Sequence, residues 1–145
     1  MNNTIISIII ILLTIFFGKN FTKSNVNSAW YECIKPEITP PKYIFPIVWT
    51  ILYILLGVVL KNILDTKDKY LIILFIVNLL LNILWTYVYF NQRNVKSSLT
   101  IILLILLTSI IILYKTNNKL IYTPYVLWIG FASYLNFLSN KKICN

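Results

Sequence analysis

Five long runs of apolar residues follow one another along the chain, and short polar stretches containing most of the charges separate them. The runs cover residues 4–18, 44–60, 70–90, 99–114 and 120–138. Each approaches the ~20 residues that an α-helix needs to cross a hydrocarbon core of ~30 Å. None shows the alternation of a barrel strand, and backbone groups in lipid must be hydrogen-bonded within their own segment. The pattern therefore predicts one all-α integral membrane domain over residues 1–145, a bundle of five transmembrane helices.

Composition favours the same class of protein. Hydrophobic residues make up 59% of the chain and charged residues 12%, which is more apolar surface than one small soluble core can bury. The formal net charge is +9, but the basic residues lie between apolar runs and not in an aromatic-rich basic motif. We therefore expect them to face anionic lipid headgroups, so that membrane lipid and not nucleic acid is the expected partner.

The topology depends on whether the first apolar run is a retained helix or a cleaved secretory signal. No Lys or Arg precedes Ile5, and no pair of small residues marks a cleavage site after Phe17, which favours the retained helix. With five spans, residues 19–43, residues 91–98 and the C-terminus share one end of the bundle. That end has eight basic residues and the opposite end has five. The positive-inside rule then places the N-terminus outside and the C-terminus inside.

Polar and aromatic side chains recur at helical spacing inside the third run. Asn78, Asn82, Trp85 and Tyr89 are separated by four, three and four residues, so they share one face of a helix. An amide in a bilayer is costly unless it finds a partner, and this face is therefore expected to meet other helices or a cavity. The second and fifth runs contain similar stripes, which comprise Pro46, Trp49, Tyr53 and Gly57, and Pro124, Tyr125, Trp128, Ala132 and Asn136.

Many of these side chains also have a purely structural interpretation. Asn82 and Asn136 can tie helices together by hydrogen bonds without touching a ligand. Aromatic residues near span ends fit the belt that Trp and Tyr form at membrane interfaces; they are Trp30, Tyr31, Tyr43, Tyr70 and Tyr122. The fourth run offers only hydroxyls, at Thr100, Thr108 and Ser109, and is predicted to be a lipid-facing or packing helix.

Three segments carry a specific signature. Residues 30–57 read WYECIKPEITPPKYIFPIVWTILYILLG, residues 78–90 read NLLLNILWTYVYF and residues 122–137 read YTPYVLWIGFASYLNF. The first combines a Trp-Tyr pair, Lys-Pro, Pro-Pro and Phe-Pro steps and a Val-Trp-Thr run. The other two combine amides with a Trp and, in the last segment, Pro-Tyr and Phe-Ala steps. Together they resemble the TspO/translocator protein family, the tryptophan-rich sensory proteins once called peripheral-type benzodiazepine receptors.

The resemblance implies a five-helix bundle, often a homodimer, with an intramembrane ligand cavity that a lid-like first loop, residues 19–43, closes at one end. Proline restricts the backbone of a segment that joins no hydrogen-bonded ladder, which suits such a lid. The prolines are Pro36, Pro40, Pro41 and Pro46. Trp30 and Tyr31 would start the structured part of this loop. Together with Tyr53 from the stripe in the second run, the candidate ligand-binding residues are Trp30, Tyr31, Trp49, Tyr53, Asn82, Trp85, Trp128, Ala132 and Leu135.

The sequence departs from the family pattern at three positions. Ile38 stands where the family usually has a Trp, and Leu127 stands where it has a small residue, so the pocket is expected to differ in shape. Phe137 replaces the Tyr of the cholesterol-recognition pattern, and no sterol binding is predicted.

The family binds porphyrins and related hydrophobic ligands, so the resemblance implies a membrane receptor or carrier linked to tetrapyrrole or stress responses. A protoporphyrin-like molecule is the expected ligand, and no cofactor is required. The alternative is enzyme-like, light-dependent porphyrin degradation that uses the cavity tryptophans. The implied location is the mitochondrial outer membrane for a eukaryotic source and the cell envelope for a bacterial one.

A conventional catalytic or metal site is not expected. The sequence has no His, and its four acidic residues fall in predicted loops, at Glu32, Glu37, Asp65 and Asp68. Cys33 and Cys144 are too few and too far apart in sequence for a zinc motif. No ionisable acid or base lies within the apolar runs, so ion-driven transport is not predicted either.

Overall fold

The structure, a computed structural model, describes residues 2–23 and 25–144, and the secondary structure within these ranges is helical. The helices are α1 (Asn3–Lys23), α2 (Ala29–Ile34), α3 (Ile44–Thr66), α4 (Lys69–Thr86), α5 (Val95–Lys115) and α6 (Lys119–Ser139). A π-helical segment, Tyr87–Asn91, continues α4. The prediction of an all-α, five-helix membrane bundle is confirmed, with α2 as a sixth, short helix outside the spans.

Four of the long helices in the described part of the chain are long and apolar enough to cross a membrane. They are α1, α3, α4 together with the π-helical segment, and α5. The fifth long helix, α6, has the same 21-residue length as α1 and α5. Its polar side chains include Tyr125 and Asn136, which are hydrogen-bonded inside the bundle.

The long helices extend further than the apolar runs indicated. Helix α1 continues to Lys23 and α3 continues to Thr66, so the connection predicted over residues 61–69 shrinks to Lys67 and Asp68. Lys67 adopts a left-handed conformation, with φ of 57°, and ends α3. Asp68 then caps α4, its side chain accepting a hydrogen bond from the Leu71 amide. Polar residues at helix ends reach the interface, so hydropathy alone underestimates helix length.

Helix α5 is a central packing element, because it lies against both α4 and α6. The side chains that it buries are at most 1% exposed; they are Ser98, Ile102, Ile105, Ser109 and Ile112. Both roles predicted for the fourth run are therefore seen, since this face packs while Leu103, Leu107 and Ile110 are exposed. Its serines lie at the contact surface, where small residues let helices approach closely.

Asn78 joins three helices in the interior. Its Nδ2 lies 2.9 Å from Ser109 Oγ and 3.1 Å from the Ile105 carbonyl oxygen on α5. Its Oδ1 accepts a hydrogen bond from the Tyr125 hydroxyl on α6 at 2.8 Å. The same hydroxyl accepts one from Asn82 Nδ2 at 3.2 Å. The amides of the third-run stripe thus meet neighbouring helices, as the cost of an unpaired amide in lipid requires.

A second polar group connects the other end of α4 to α6. Trp85 Nε1 donates to Asn136 Oδ1 at 2.8 Å, and Asn136 Nδ2 donates to the Val95 carbonyl at 3.1 Å. Ser98 Oγ lies 3.2 Å from Asn136 Oδ1. Asn82 and Asn136 therefore tie helices together, which was the structural interpretation of these two residues.

The interfacial belt was predicted correctly for some aromatic residues and wrongly for others. Tyr43 and Tyr70 are 66% and 84% exposed, as belt residues are. Tyr122 is 1% exposed and packs against Phe75 and Tyr125, with ring centroids 6.1 and 5.5 Å away. Tyr122 is buried because α6 turns its side chain toward Phe75 on α4. The position of Tyr122 near a span end does not reveal how α6 is rotated.

The network predicts the effect of removing one amide. Replacing Asn78 by Leu should destabilise the bundle by about 1–2 kcal/mol, because Tyr125 and Ser109 lose a buried partner. Reversible unfolding in mixed micelles measures this change. Replacing Thr100, an exposed residue on α5, by Val is the matched control and should leave stability unchanged. Equal stabilities for the two variants would contradict the role given to Asn78.

Candidate ligand site and its lid

Five aromatic rings gather between α3 and α6, and we call this group the aromatic cluster; it comprises Phe45, Trp49, Tyr53, Trp128 and Phe131. Trp49 and Tyr53 are four residues apart on α3, with ring centroids 5.4 Å apart. The Trp49 and Trp128 rings meet edge to face, at 6.5 Å and 88°. The structure therefore brings together three of the predicted site residues, from two helices, in one apolar region.

Helix α1 closes the side of the aromatic cluster near Tyr53. A Cβ built on Gly18 would lie 3.7 Å from the Tyr53 hydroxyl, which is an ordinary van der Waals distance. The ring of Tyr53 thus lies between α1 and α3, and the cluster contributes aromatic surface from Trp and Tyr side chains at the contact of α3 with α6. Flat, apolar molecules fit such surfaces, because aromatic rings stack with offset or edge-to-face geometry.

Trp128 has a buried hydrogen-bond donor that the protein does not use. Its Nε1 is buried and has no acceptor within the described residues. Leaving such a group unpaired in a buried, apolar environment costs about 1–3 kcal/mol. By contrast, the indole nitrogen of Trp85 is bonded to Asn136. Trp128 is therefore the cluster residue best suited to donate a hydrogen bond to a bound molecule.

The remaining predicted site residues lie elsewhere. The side chains of Asn82 and Trp85 are engaged in the interhelical hydrogen bonds already described. Ala132 is partly buried against the main core, and Leu135 is 9% exposed. Trp30 and Tyr31 belong to a separate group of aromatic residues at one end of the bundle.

That end is covered by residues 25–43, which we call the lid segment. The sequence predicted a proline-stiffened loop here and missed the short helix α2 within it. Ser28 begins this helix, since its side chain accepts a hydrogen bond from the Tyr31 amide at 3.1 Å. Ser28 followed by Glu32 in the first turn is a helix-start signal that could have revealed α2.

Helix α2 is fixed to the bundle by aromatic contacts. Trp30 and Tyr31 are 8% and 7% exposed, so they are not belt residues. Their rings contact Tyr89 and Phe90, with centroids 5.9 and 5.6 Å apart. With Ile34 these residues form a separate small core, which we call the lid cluster. Trp30 and Tyr31 therefore anchor the lid segment and do not join the aromatic cluster.

The π-helical segment makes this contact possible. A π-helical turn inserts an extra residue per turn and changes the directions of the side chains that follow. In this turn Tyr89 and Phe90 are both buried and face α2, and the Tyr89 hydroxyl lies 3.1 Å from Ser139 Oγ on α6. Nothing in the apolar periodicity of the third run indicated the change in helix type.

Charges hold the two halves of the lid segment together. Glu32 on α2 pairs with Lys42 at 2.6 Å and with Lys35 at 2.9 Å. Lys42 also donates to Asn27 Oδ1 at 3.3 Å. The hydrogen bonds from Lys42 and Lys35 lower the pKa of Glu32, so this group stays ionised in the folded lid. These groups are exposed, and their attraction is weakened by salt.

A disulfide between Cys33 and Cys144 connects the lid segment to the chain end after α6. The two Cα atoms are 6.1 Å apart, although 111 residues separate the cysteines in sequence. Lys142 adds a hydrogen bond to the Lys35 carbonyl at 3.1 Å. On the sequence alone, Cys33 and Cys144 were considered only as metal ligands, and their pairing was not predicted. The pairing depends on the fold, which places residues 33 and 144 side by side.

The disulfide and the charge distribution give different indications of orientation. The basic excess places the lid end in the cytoplasm, whereas disulfides persist in oxidising compartments and are rare in the cytosol. The charge excess is small, at eight basic residues against five. The redox state of the Cys33–Cys144 bond in cells reports which compartment the lid faces.

The fold and the aromatic cluster together define a class, the small multi-pass helical membrane proteins with a tryptophan-lined interior and a covering segment at one end. Within that class, the chain belongs to the TspO/MBR family, which residues 6–139 match. The family resemblance of the three sequence segments is thus confirmed.

Individual relatives match over most of their length. The chain is 35% identical over 139 residues to the Tryptophan-rich protein TspO of Archaeoglobus fulgidus, covering 90% of each chain. It is 33% identical over 132 residues to the protein of the same name from Chlorobaculum tepidum, covering 84% of each. Protein CrtK of Rhodobacter capsulatus is 27% identical over 120 residues, covering 75% of each chain.

The contacts of the lid segment predict an effect of reduction. Reducing the Cys33–Cys144 bond should speed amide hydrogen exchange in residues 29–34 by about tenfold or more. In the reduced protein α2 can unfold locally without moving the residues after α6. Exchange in residues 69–75, at the other end of the bundle, should not change. The Cys33→Ser variant should behave like the reduced protein. Unchanged exchange in residues 29–34 would show that the aromatic contacts alone hold the lid.

Proposed function

We propose that this membrane protein is a receptor or carrier that binds a porphyrin-like ligand at the aromatic cluster. The observation that carries the proposal is the Nε1 of Trp128, a buried donor without an acceptor among the described residues, on a ring that meets Phe45 and Trp49 edge to face. A free-base porphyrin offers a large flat π-surface together with imine nitrogens and carboxylates that accept hydrogen bonds. Such a porphyrin would cover the apolar ring faces of the cluster and accept a hydrogen bond from Trp128 Nε1.

The ligand must displace contacts that the rings now make with one another. Trp49 and Trp128 touch edge to face, so an inserted macrocycle would replace one aromatic contact by two face contacts. Each such contact contributes about 0.5–1.5 kcal/mol beyond the area that it buries. Rotation of Trp128 toward the ligand would also pair its indole nitrogen.

The chemistry of the chain favours a free-base porphyrin over haem. The sequence has no His, the commonest axial ligand of haem iron. Both cysteines form the disulfide and have no free thiolate. The ligand therefore needs to be held through its ring faces and peripheral acceptors.

A sensory role in the cell envelope fits the relatives. One of them, from Cereibacter sphaeroides, is named Tryptophan-rich sensory protein and is 26% identical over 115 residues. The relatives from Chlorobaculum tepidum and Bacillus cereus are bacterial. We therefore place this protein in the membrane of a prokaryotic envelope, with ligand occupancy as the signal and the lid segment as the part that responds.

Two substitutions separate the contribution of the Trp128 ring to ligand affinity from the contribution of its N–H donor. Trp128→Phe keeps an aromatic face and removes the donor, and it should weaken protoporphyrin binding about tenfold. Trp128→Ala and Trp49→Ala should weaken it by about 1–3 kcal/mol. Titration of the purified protein, followed by porphyrin absorbance, gives the affinities. Tyr70→Ala changes an exposed aromatic residue and should leave them unaltered. Equal losses in the Tyr70 and Trp128 variants would refute the proposed site.

Illumination distinguishes a receptor from a porphyrin-degrading protein. For a receptor, bound protoporphyrin should bleach equally fast in the parent and in a Trp49→Phe, Trp128→Phe variant at matched occupancy. Chromatography of the illuminated mixture checks the products. Faster conversion to one defined product in the parent alone would assign light-dependent degradation to the tryptophans and replace the receptor assignment.

A further inference from the structure

A polar cavity of about 430 Å³ lies outside the aromatic cluster, at the lid end of the bundle. Its walls come from α2, from the turn between the π-helical segment and α5, and from the residues after α6. They include Trp30, Arg93, Asn94, Lys96, Asn140 and Lys142. None of these walls belongs to the site proposed for a porphyrin, so the cavity needs its own explanation.

The cavity is lined by positive charge. Arg93, Lys96 and Lys142 line it, and none of the described residues in its walls is an Asp or Glu. The acid on α2, Glu32, is engaged by Lys35 and Lys42. Three cations around one cavity repel one another, and this repulsion is relieved when an anion enters.

Arg93 is an exposed side chain that forms no ion pair within the described part of the chain. Its guanidinium donates twice to Asn25 Oδ1, at 2.8 and 3.3 Å, and lies 5.3 Å from the centre of the Trp30 ring. These partners are a neutral amide and an aromatic face, not a carboxylate. A guanidinium has five N–H donors, so it retains donors for an anion while the cation is held in a fixed position.

The first turn of α5 adds to the positive potential. Asn94 and Val95, at the start of this 21-residue helix, also line the cavity. The N-terminus of a helix carries a partial positive charge and favours an anion, phosphate in particular. The opposite wall is secured by the Cys33–Cys144 disulfide, since Cys144 lines the cavity too.

We propose that this cavity binds a phosphate group through Arg93, Lys96 and Lys142, supplied by an anionic phospholipid headgroup or by free phosphate. The cavity lies at the end of the transmembrane helices, where phospholipid phosphates lie in a bilayer, and its volume holds a phosphate with part of a headgroup. Binding there would cross-link the lid segment, the 92–94 turn and the chain end. The proposal does not depend on the porphyrin site.

The test uses purified full-length protein in a neutral detergent and calorimetric titration with three probes. These are dihexanoyl phosphatidylglycerol, dihexanoyl phosphatidylcholine and inorganic phosphate. The test variant is Lys96→Gln with Lys142→Gln. Glutamine at position 142 removes the charge and keeps a polar N–H donor in place of the Lys142 ammonium, which now donates to the Lys35 carbonyl. The control is Lys19→Gln with Lys23→Gln, which removes two exposed charges from α1 at the same end of the bundle.

The test variant should lose at least tenfold in affinity for phosphatidylglycerol, and the control less than twofold. If inorganic phosphate also binds the parent and competes with the lipid, the phosphate group alone is recognised. If only phosphatidylglycerol binds, the headgroup is the source. Equal losses in both double variants, or no loss in the test variant, would overturn the proposal. Lys96→Gln alone, a change at an exposed side chain, repeats the comparison if the double variant melts at a lower temperature.

Discussion

Hydrogen bonding of side-chain amides inside a lipid-embedded bundle is the constraint from which the arrangement of α4, α5 and α6 follows. An amide in hydrocarbon has no water to bond, so the cost of leaving it unpaired selects the packings in which it meets a partner. Asn78 and Asn136 each reach the helices on either side, one near the middle of α4 and one near the end of α6. Leu and Ile contacts cannot fix rotation in this way, because lipid tails solvate them equally well.

With three helices fixed, the two tryptophans of the aromatic cluster acquire their positions. Trp128 lies on the side of α6 that faces α3, while Tyr125 and Asn136, which share a neighbouring side of the same helix, bond to α4. The polar contacts thus fix the rotation of α6 about its axis. This rotation places the Trp128 ring against the Trp49 ring. An indole nitrogen left unpaired in this setting contrasts with the bonded nitrogen of Trp85. One tryptophan is hydrogen-bonded within the scaffold, and the indole nitrogen of the other has no acceptor among the described residues.

The lid segment is held by contacts of a different kind. Trp30 and Tyr31 insert between aromatic side chains of the π-helical turn, Arg93 lies over Trp30, and a disulfide attaches α2 to the chain end. The aromatic contacts depend on excluded water, the ionic ones weaken with salt, and the covalent one depends on redox conditions. Because these dependences differ, the lid and the basic cavity beneath it can respond to conditions that leave the transmembrane core unchanged.

The sequence by itself determined the membrane class, the number of long helices and the stripe of amides in the third run, because hydropathy and 3.6-residue periodicity are local properties that lipid enforces on each segment. Three signature segments also determined the family. Only the tertiary structure decided that the indole nitrogen of Trp85 bonds to Asn136 whereas that of Trp128 has no acceptor among the described residues. It also decided that Tyr122 is buried and Tyr70 is exposed. It alone paired Cys33 with Cys144 and gathered Arg93, Lys96 and Lys142 around one cavity. These relations join residues tens of positions apart, and their energies depend on helix rotation and on a π-helical turn that no local pattern encodes.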